Sequence, residues 1–516
     1  MKILAIKEGH DGNWCVFDDQ EDKGTIKYFS SEREKCSKHL YVSTYGIYGS
    51  LLSNHGEDGF DCVAVSFGDL RNARVAKNSV VYEEIPNRDN VYRRLLKKNT
   101  GKLFYVDHHF GHILQNWTGV EDYGAAIDGS GDENYNETFT KNIIKSINQN
   151  TLEYSDRTQH QIGRLFKFAA SALLKNTSKE DCVGKIMGIQ AYGKMNESLY
   201  ETLCKTKDYD KLKSIIYDSL KDIDVYNKDD NFDNIYTVNK FLSKKIIRLF
   251  DKNFGDTERK ILYDGGCALN TVTNTVLDYK YNLSINPAAN DGGASIGLMK
   301  LMLYINDYNL KAIQVKNGNY LADPNDSTLD KVAKLLADGN IVAFCTRNDE
   351  LGPRALGGRS ILMDPSIKNG KDIINSEVKH REWWRPFGGT IIDSSVLKDY
   401  KKSELDYFML KNSKFGKKYR DKFISINHKD NTSRLQILSE ENKDEPIYKV
   451  IEKFNNLTGI PGLLNTSYNI QSKPIPSRDI DIAIAFYSMP KIRYLLFGNK
   501  LYDKTKDDVM SIVCNK

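Results

Sequence analysis

Residues 125–132 read Ala-Ala-Ile-Asp-Gly-Ser-Gly-Asp, a short apolar run that ends on an acidic residue set among glycines. The same device recurs where Lys260–Tyr263 runs into Asp264-Gly265-Gly266, and again at Asn290-Asp291-Gly292-Gly293 ahead of Ala294–Leu298. Apolar runs of this length between polar turns read as buried strands. The glycines let backbone N–H groups approach a phosphate, and the acid can hold a metal or a hydroxyl. One such turn says little. Three of them, two preceded by strands, describe an α/β chain with a nucleotide-handling cleft.

Upstream lies Tyr105-Val-Asp-His-His-Phe-Gly-His-Ile113. Leu103–Val106 reads as a buried strand, and Asp107 suits the N-cap of a helix that starts at the histidines. On that helix His108 and His112 share a face, so both rings can hold one ion, whereas His109 is expected to point elsewhere. Histidines at this spacing also occur as plain core or surface residues. Here three of the chain's nine histidines fall within five residues.

Lys2–Ile6 reads as the first strand, ending at Gly9-His-Asp-Gly12, and Cys15–Phe17 as the second. Ser31–His39 is a charged segment leading toward a helix, Asp61–Phe67 a buried strand, and Arg93–Lys98 a basic helical patch. Gly184–Gly193 is a glycine-punctuated loop, and residues 205–250 read as polar helix without chemistry. Lys316–Asp326 breaks into Asn, Gly, Asp and Pro like a linker. Ser327-Thr-Leu-Asp330 then makes a capping box, Gly339 a helix stop and Ile341–Cys345 a strand.

The second centre of chemistry is residues 347–389. Arg347, Arg354, Arg359, Lys379, Arg381 and Arg385 crowd together there with glycines, Pro353 and two tryptophans. A solvated helix face would balance such cations with acids. Arginine forks between glycines and aromatics suit phosphate oxygens instead. Lys411–Lys422 is a further basic run and reads as an exposed loop.

Composition sets bounds. At 516 residues the chain has room for several domains. Its 40% apolar and 28% charged residues are those of an ordinary globular protein. A net charge of +5 tolerates anionic substrates or nucleic acid without requiring either. The eight cysteines (15, 36, 62, 182, 204, 267, 345, 514) form no CxxC, so neither a zinc ribbon nor a disulfide framework is indicated. The apolar run in MKILAIKEGH is too short for a signal peptide, and no stretch reaches the length of a membrane span. A soluble cytoplasmic protein with no membrane partner is expected.

Taken together, the motifs resemble the O-carbamoyltransferase family of antibiotic and nodulation-factor biosynthesis (tobramycin, cephamycin and NodU-type enzymes). They run nearly end to end: GHDG (9–12), ER....KH (32–39), HHFGH (108–112), DGSGDE (128–133), GKIMGIQAYG (184–193), GGCALN (265–270), NDGGASIG (290–297), ELGPRALGGRSILMDP (350–365), VKHREWWRPF (378–387), His428-x-Asp430 through Arg434-x-Gln436, and LLNTSYN (463–469). The GPRALG and KHRE..RPF pair is the most specific.

The resemblance implies an α/β protein of two parts. Residues 1–315 would form a two-lobed actin/sugar-kinase-like domain (RNase H-like, duplicated) for carbamoyl transfer. Residues 326–516 would form a YrdC-like twisted-sheet domain that makes carbamoyl adenylate from ATP and carbamoyl phosphate. Carried over by motif, the metal ligands would be His108, His112 and Asp291, with Asp128 a fourth or outer carboxylate that also serves catalysis. The ion would be iron, with Mg2+ accompanying ATP. His10 would be the general base near the acceptor hydroxyl, with His39 lining the same region. Gly129, Gly131, Lys185, Gly265, Gly266, Asn270 and Gly292 would surround the adenylate. In the second domain Arg347, Arg354, Arg359, Lys379, His380, Arg381 and Arg385 would grip carbamoyl phosphate and the ATP phosphates. Ser360, Arg434, Asn465, Ser467 and Asn469 would contact the nucleotide.

The sequence departs from the family pattern at FGGTII after RPF, at HKDNTSR, at Cys267 and at GIQAYG, and no charged or metal-binding residue is lost. The acceptor stays open between a small natural product or sugar and the hydroxymethyl group of a modified pyrimidine in viral DNA. The basic runs 93–98 and 411–422 motivate the second possibility. A tRNA threonylcarbamoyl modification and a non-catalytic nucleotide-binding protein are the readings from other classes. Relatives make a homodimer plausible.

Overall fold

The computed structural model describes the chain except residues 10, 22–23, 39, 43–45, 50, 52–58, 67–80, 84–90, 99, 129–139, 145–155, 159–161, 175–178, 319 and 512–516. Two compact units result. One is built from residues 1–165, 246–269 and 277–317, the other from 166–245, 270–276 and 318–516.

The first unit holds two mixed sheets. In the larger, Lys2–Lys7 lies between Asn13–Asp18, which it pairs antiparallel, and Cys62–Ser66, which it pairs parallel. Lys102–Val106 continues the parallel run beside Cys62–Ser66. Side chains of Lys2–Lys7 are buried on both faces from Ile3 onward, as a central strand covered by other elements requires. One cover is the Ala294–Ile305 helix, apolar almost all round. Gly111 and Gly297 allow its close approach to the histidine helix: a Cβ on Gly297 would fall 1.8 Å from the Gly111 carbonyl oxygen.

The smaller sheet is ordered Asn282–Ser284, Lys260–Asp264, Tyr123–Ala126, Thr140–Ile144, Asp156–Thr158, with the first three parallel. The strands expected ahead of Asp128 and Asp264 are therefore neighbours, and both acidic turns leave the same end of one sheet.

The second unit is built on one nine-stranded mixed sheet. At its centre Arg359–Met363 pairs antiparallel with both Val342–Cys345 and Gly462–Ser467. Helices Asp326–Ala337 and Pro446–Thr458 bury Leu329, Val332 and Leu336 with Val450, Ile451 and Phe454 in its core.

Four local expectations change. Gln314–Asn317 is a strand pairing parallel with Thr25–Ser30, so Lys316 and Asn317 close the first sheet rather than open a linker. The Asp326–Ala337 helix is capped by Asn325, whose side chain accepts from the Thr328 amide at 2.9 Å; the cap precedes the expected box by two residues. Gly184–Ile189 belongs to a helix, Lys179–Ile189, not to a loop. Its Gly188 reflects crowding, since a Cβ there would lie 2.8 Å from Pro386 Cδ. Finally, Lys411 in the supposed exposed run is buried and paired with Asp406 at 3.1 Å. Among the described residues no helix is long and apolar enough to cross a membrane.

Candidate active sites: a histidine–carboxylate cluster and an arginine cluster

The histidine helix runs from His108 to Ile113 and follows the Lys102–Val106 strand. Asp107 caps it as expected, accepting from the Phe110 amide at 3.0 Å. The cap fixes the first turn, and with it the direction of both rings. His108 Nε2 and His112 Nε2 approach to 3.2 Å. Asp291 Oδ1 lies 3.5 Å from the first and 3.3 Å from the second. Asp128 Oδ2 lies 3.7 and 3.6 Å from the same nitrogens.

Four donor atoms from three separate chain segments thus fall within 4.8 Å of one another. Donors held about 2.1 Å from one ion in a tetrahedron lie about 3.4 Å apart, the spacing seen here. Two imidazoles and two carboxylates form a donor set suited to iron or zinc. The residues present fit a metal.

Neighbouring residues orient the ligands. His112 Nδ1 meets Asp264 Oδ1 at 2.9 Å, and the same oxygen accepts from the Gly265 amide at 2.7 Å and from Gln115 Nε2 at 3.3 Å. A proton held on Nδ1 leaves Nε2 free to face the cluster, the usual carboxylate–histidine arrangement around metals. Asp291 Oδ2 pairs with Lys7 Nζ at 3.0 Å, both side chains being buried. Asn13 anchors this corner, donating to the Asp291 carbonyl at 2.9 Å and accepting from the Ser295 amide at 3.1 Å.

Burial opposes charge throughout the cluster, yet partners win at four positions. At Asp128 the His108 and His112 rings outweigh burial and the Asp291 charge and lower the carboxyl. His108 is raised to about 9 by Asp291 and Asp128. His112 is raised to about 10 by Asp264 and Asp291. Asp291 is held well below the usual carboxylate range by Lys7 and His108. At Asp264 burial prevails and lifts the carboxyl to about 7. Without an ion, protons bridge these groups; a cation binds by displacing them.

His109 is not among the four clustered donors, in keeping with its place on another face of the helix. Its ring centroid is 5.5 Å from that of His108 and 6.3 Å from that of His112. Burial and the His108 charge lower it to about 4.

The adenylate glycines divide. Gly265 takes φ +88°, and a Cβ there would meet the Ile127 carbonyl oxygen at 2.6 Å, so only glycine passes. Gly266 donates its amide to Asp128 Oδ1 at 3.2 Å, beside the cluster. Gly292 follows the Asp291 ligand directly. Asn270 caps the Thr271–Lys280 helix through the Val272 and Thr273 amides and belongs to the second unit, as does Lys185. His10, His39, Gly129 and Gly131 lie outside the described residues.

In the second unit the arginines part company. Arg359 is fully buried and spends Nη1 on the carbonyls of Thr346, Arg347 and Gly358 at 2.9–3.2 Å. It is a structural residue. Arg347, with φ +46°, forks onto Asp323 with two 2.8 Å bonds. Lys379 is buried and donates to the Ser467 and Asn469 carbonyls and to Asn469 Oδ1, at 2.6–2.8 Å. His380, next to it, is exposed with φ +46°.

Arg354, Arg381, Arg385 and Arg434 come together. Burial lowers Arg354, Arg381 and Arg434, and repulsion from another arginine of the group lowers each further. Arginine keeps its proton at neutral pH. These shifts therefore describe a pocket short of negative charge, which an anion would supply. The carboxylate in the group is Glu382, already paired with Lys185 at 2.9 Å and with Arg385 at 3.4 Å.

The loop bearing Arg354 is held from inside. Glu350 Oε1 accepts from the Leu356, Gly358 and Arg359 amides at 2.8–2.9 Å. Asn465 and Gln436 take the Ala355 and Leu356 carbonyls at 3.2 and 3.0 Å. Ser360 Oγ accepts from the Gly357 amide at 3.2 Å. Asn465 and Ser360 thus support this loop.

Sequence reasoning gave no role to Lys7 or Asn13, and it read Asp264 as a possible metal or hydroxyl ligand rather than as the partner of His112 Nδ1. A lysine closing an otherwise apolar strand, and a carboxylate closing another, are the signals that were available.

Two family models match the chain in order along its length. The carbamoyltransferase N-terminus family model matches residues 71–299 and the carbamoyltransferase C-terminus model residues 333–504. An uncharacterized protein of Methanocaldococcus jannaschii is 25% identical over 544 residues, covering 98% of this chain and all of that protein. Nodulation protein U of Azorhizobium caulinodans is 31% identical over 247 residues, covering 45% of this chain and 44% of that one. Full-length HypF in its phosphate- and nucleotide-bound form aligns at a TM-score of 0.30 with 13% identity, over 61% of this chain and 56% of that one. With both halves of the family matched in order along it, the chain belongs to the carbamoyltransferase family and is a carbamoyltransferase.

Proposed function

We propose that this carbamoyltransferase is ATP-dependent and acts on a hydroxyl. In the second unit water cleaves carbamoyl phosphate to carbamate and inorganic phosphate. The carbamate oxygen then attacks the α-phosphorus of ATP, giving carbamoyl adenylate and releasing pyrophosphate. In the first unit the acceptor oxygen attacks the carbamoyl carbon, an O–C bond forms, and AMP leaves with the bonding pair. The observation that carries this reading is the arginine cluster: four guanidiniums gathered with one committed carboxylate suit reactants that are all phosphate anions.

Each group of residues has a task. Arg354, Arg381, Arg385 and Arg434 draw the phosphoryl groups together and offset charge as the carbamate oxygen attacks the α-phosphorus. Lys379 braces the Ser467–Asn469 turn through its two carbonyls. His108, His112, Asp128 and Asp291 would hold the metal, which supplies Lewis-acid polarisation of the carbamoyl oxygen when bound. Asp264 keeps the Nδ1 proton of His112 in place, and Lys7 keeps Asp291 ionised. His10 takes the acceptor's proton in this reading.

For the acceptor we favour a small hydroxylated molecule over a DNA base. Of the lysines that motivated a nucleic-acid track, Lys97 pairs with Asp61 at 2.8 Å and Lys411 is buried on Asp406. Incubation with ATP, carbamoyl phosphate and ferrous ion should release pyrophosphate. Mass spectrometry then seeks a carbamoyl shift on a panel of sugars, aminocyclitols and hydroxymethylcytosine, free and in DNA. Absence of pyrophosphate would overturn the adenylate route; a shift on DNA alone would overturn the small acceptor.

A further inference from the structure

His109 is 1% exposed, and neither of its ring nitrogens has a hydrogen-bond partner. Buried polar atoms are partnered in the great majority of cases, and an imidazole with both nitrogens orphaned is costly. The neighbouring rings show how differently the same helix treats its other histidines. His112 is bonded at Nδ1 to Asp264, and both His108 and His112 turn Nε2 to the cluster. His109 lies against these two rings, at 5.5 and 6.3 Å between centroids, and Asp128 is among the charges that act on it. Its polar atoms are dry, unspent and beside the donor set.

We propose that His109 is a specificity-determining residue that accepts a hydrogen bond from the carbamoyl amino group. This rests on the adenylate reading above. A carbamoyl group differs from an acetyl group by an NH2 in place of CH3, with nearly the same shape. A site lined only by apolar atoms barely separates two such isosteres, whereas a buried acceptor left unpaired by the methyl compound separates them strongly. Among the described residues the clustered carboxylates and His112 have their polar atoms engaged with each other or with Lys7 and Asp264. The His109 nitrogens are uncommitted. One of them in acceptor form meets the amino group; the other ring N–H is left to face the adenylate's ester or carbonyl oxygen.

The test uses two stable adenylate mimics on the metal-loaded full chain, 5′-O-(carbamoylsulfamoyl)adenosine and 5′-O-(acetylsulfamoyl)adenosine, titrated by calorimetry. The wild type should bind the carbamoyl compound at least about tenfold more tightly. His109→Phe should lose that preference while keeping its metal content and its affinity for the acetyl compound, and His109→Gln should keep part of the preference. Equal binding of both mimics by the wild type, or a preference unchanged in His109→Phe, would overturn the proposal. If His109→Phe loses metal and both mimics alike while His109→Gln shows no preference, His109 is merely structural and the proposal fails. If the wild type binds neither mimic, the adenylate reading itself falls, and this proposal with it.

Discussion

The two clusters are built on opposite electrostatic plans. In the first unit two histidines, Asp128, Asp291, Asp264 and Lys7 alternate in sign and hold one another at 2.9–3.7 Å. In the second unit four arginines act on one another as like charges, and Glu382 pairs with Arg385 and Lys185. The first is complete in itself, so an ion entering it must compete with protons already there. The second gathers like charges that repel one another, which a bound anion would offset. Preorganised donors and preorganised need are different ways of preparing a site.

That contrast can be broken by substitution. His112→Ala should remove the cation and lower carbamoyl transfer by about 10³-fold or more, leaving pyrophosphate release largely intact. A parallel loss of both activities would show that the clusters are not separable. Arg434→Gln should do the reverse, cutting pyrophosphate release about 10²-fold with metal content unchanged. Asp264→Asn touches neither donor atoms nor phosphates; it should weaken metal affinity by about 10- to 100-fold, read by competition with a chelating dye.

The pH dependence sharpens the contrast further. His108 and His112 are raised to about 9 and 10, so at neutral pH each carries a proton that the ion must displace. Metal affinity should therefore rise with pH between 6 and 9, by up to about tenfold per unit for each proton released. Sulfate binding at the arginines should stay flat over that range, since neither partner titrates there. The smallest effect is expected of Gly188→Ala. Its Cβ would press on Pro386, beside Arg385, at 2.8 Å. A cost of about 1–3 kcal/mol in stability is expected, read as a lowered Tm, with a modest rise in KM for carbamoyl phosphate.

Much of this was legible in the sequence because the causes were local. A four-residue spacing puts His108 and His112 on one face, and Asp107 caps its own helix. The strands before Asp128 and Asp264 follow from short apolar runs. What stayed hidden was set at long range. Nothing near His112 announces Asp264, 152 residues away. Arg354 and Arg359 stand in one motif with the same side chain. The second opens a buried strand and turns its fork onto three carbonyls, and only the fold separates a ligand-facing arginine from one consumed by the backbone. Gly184 and Gly188 look like loop residues and sit in a helix; Pro386 and Trp384 crowd Gly188 and demand a bare backbone there, whereas a Cβ on Gly184 would meet nothing.

The Gln314–Asn317 strand that closes the first sheet carries a consequence for synthesis. Its partner, Thr25–Ser30, leaves the ribosome near the start of translation. His108 must likewise wait for Asp264 and Asp291, with the residues of the second unit's 166–245 segment made in between. At typical elongation rates the interval from His108 to Asp291 is roughly 10–40 s. During it the nascent chain carries an unpaired strand edge and histidines without their carboxylates. Metal loading is thus a late event in the life of the polypeptide, and truncations ending before residue 291 should bind no ion at all.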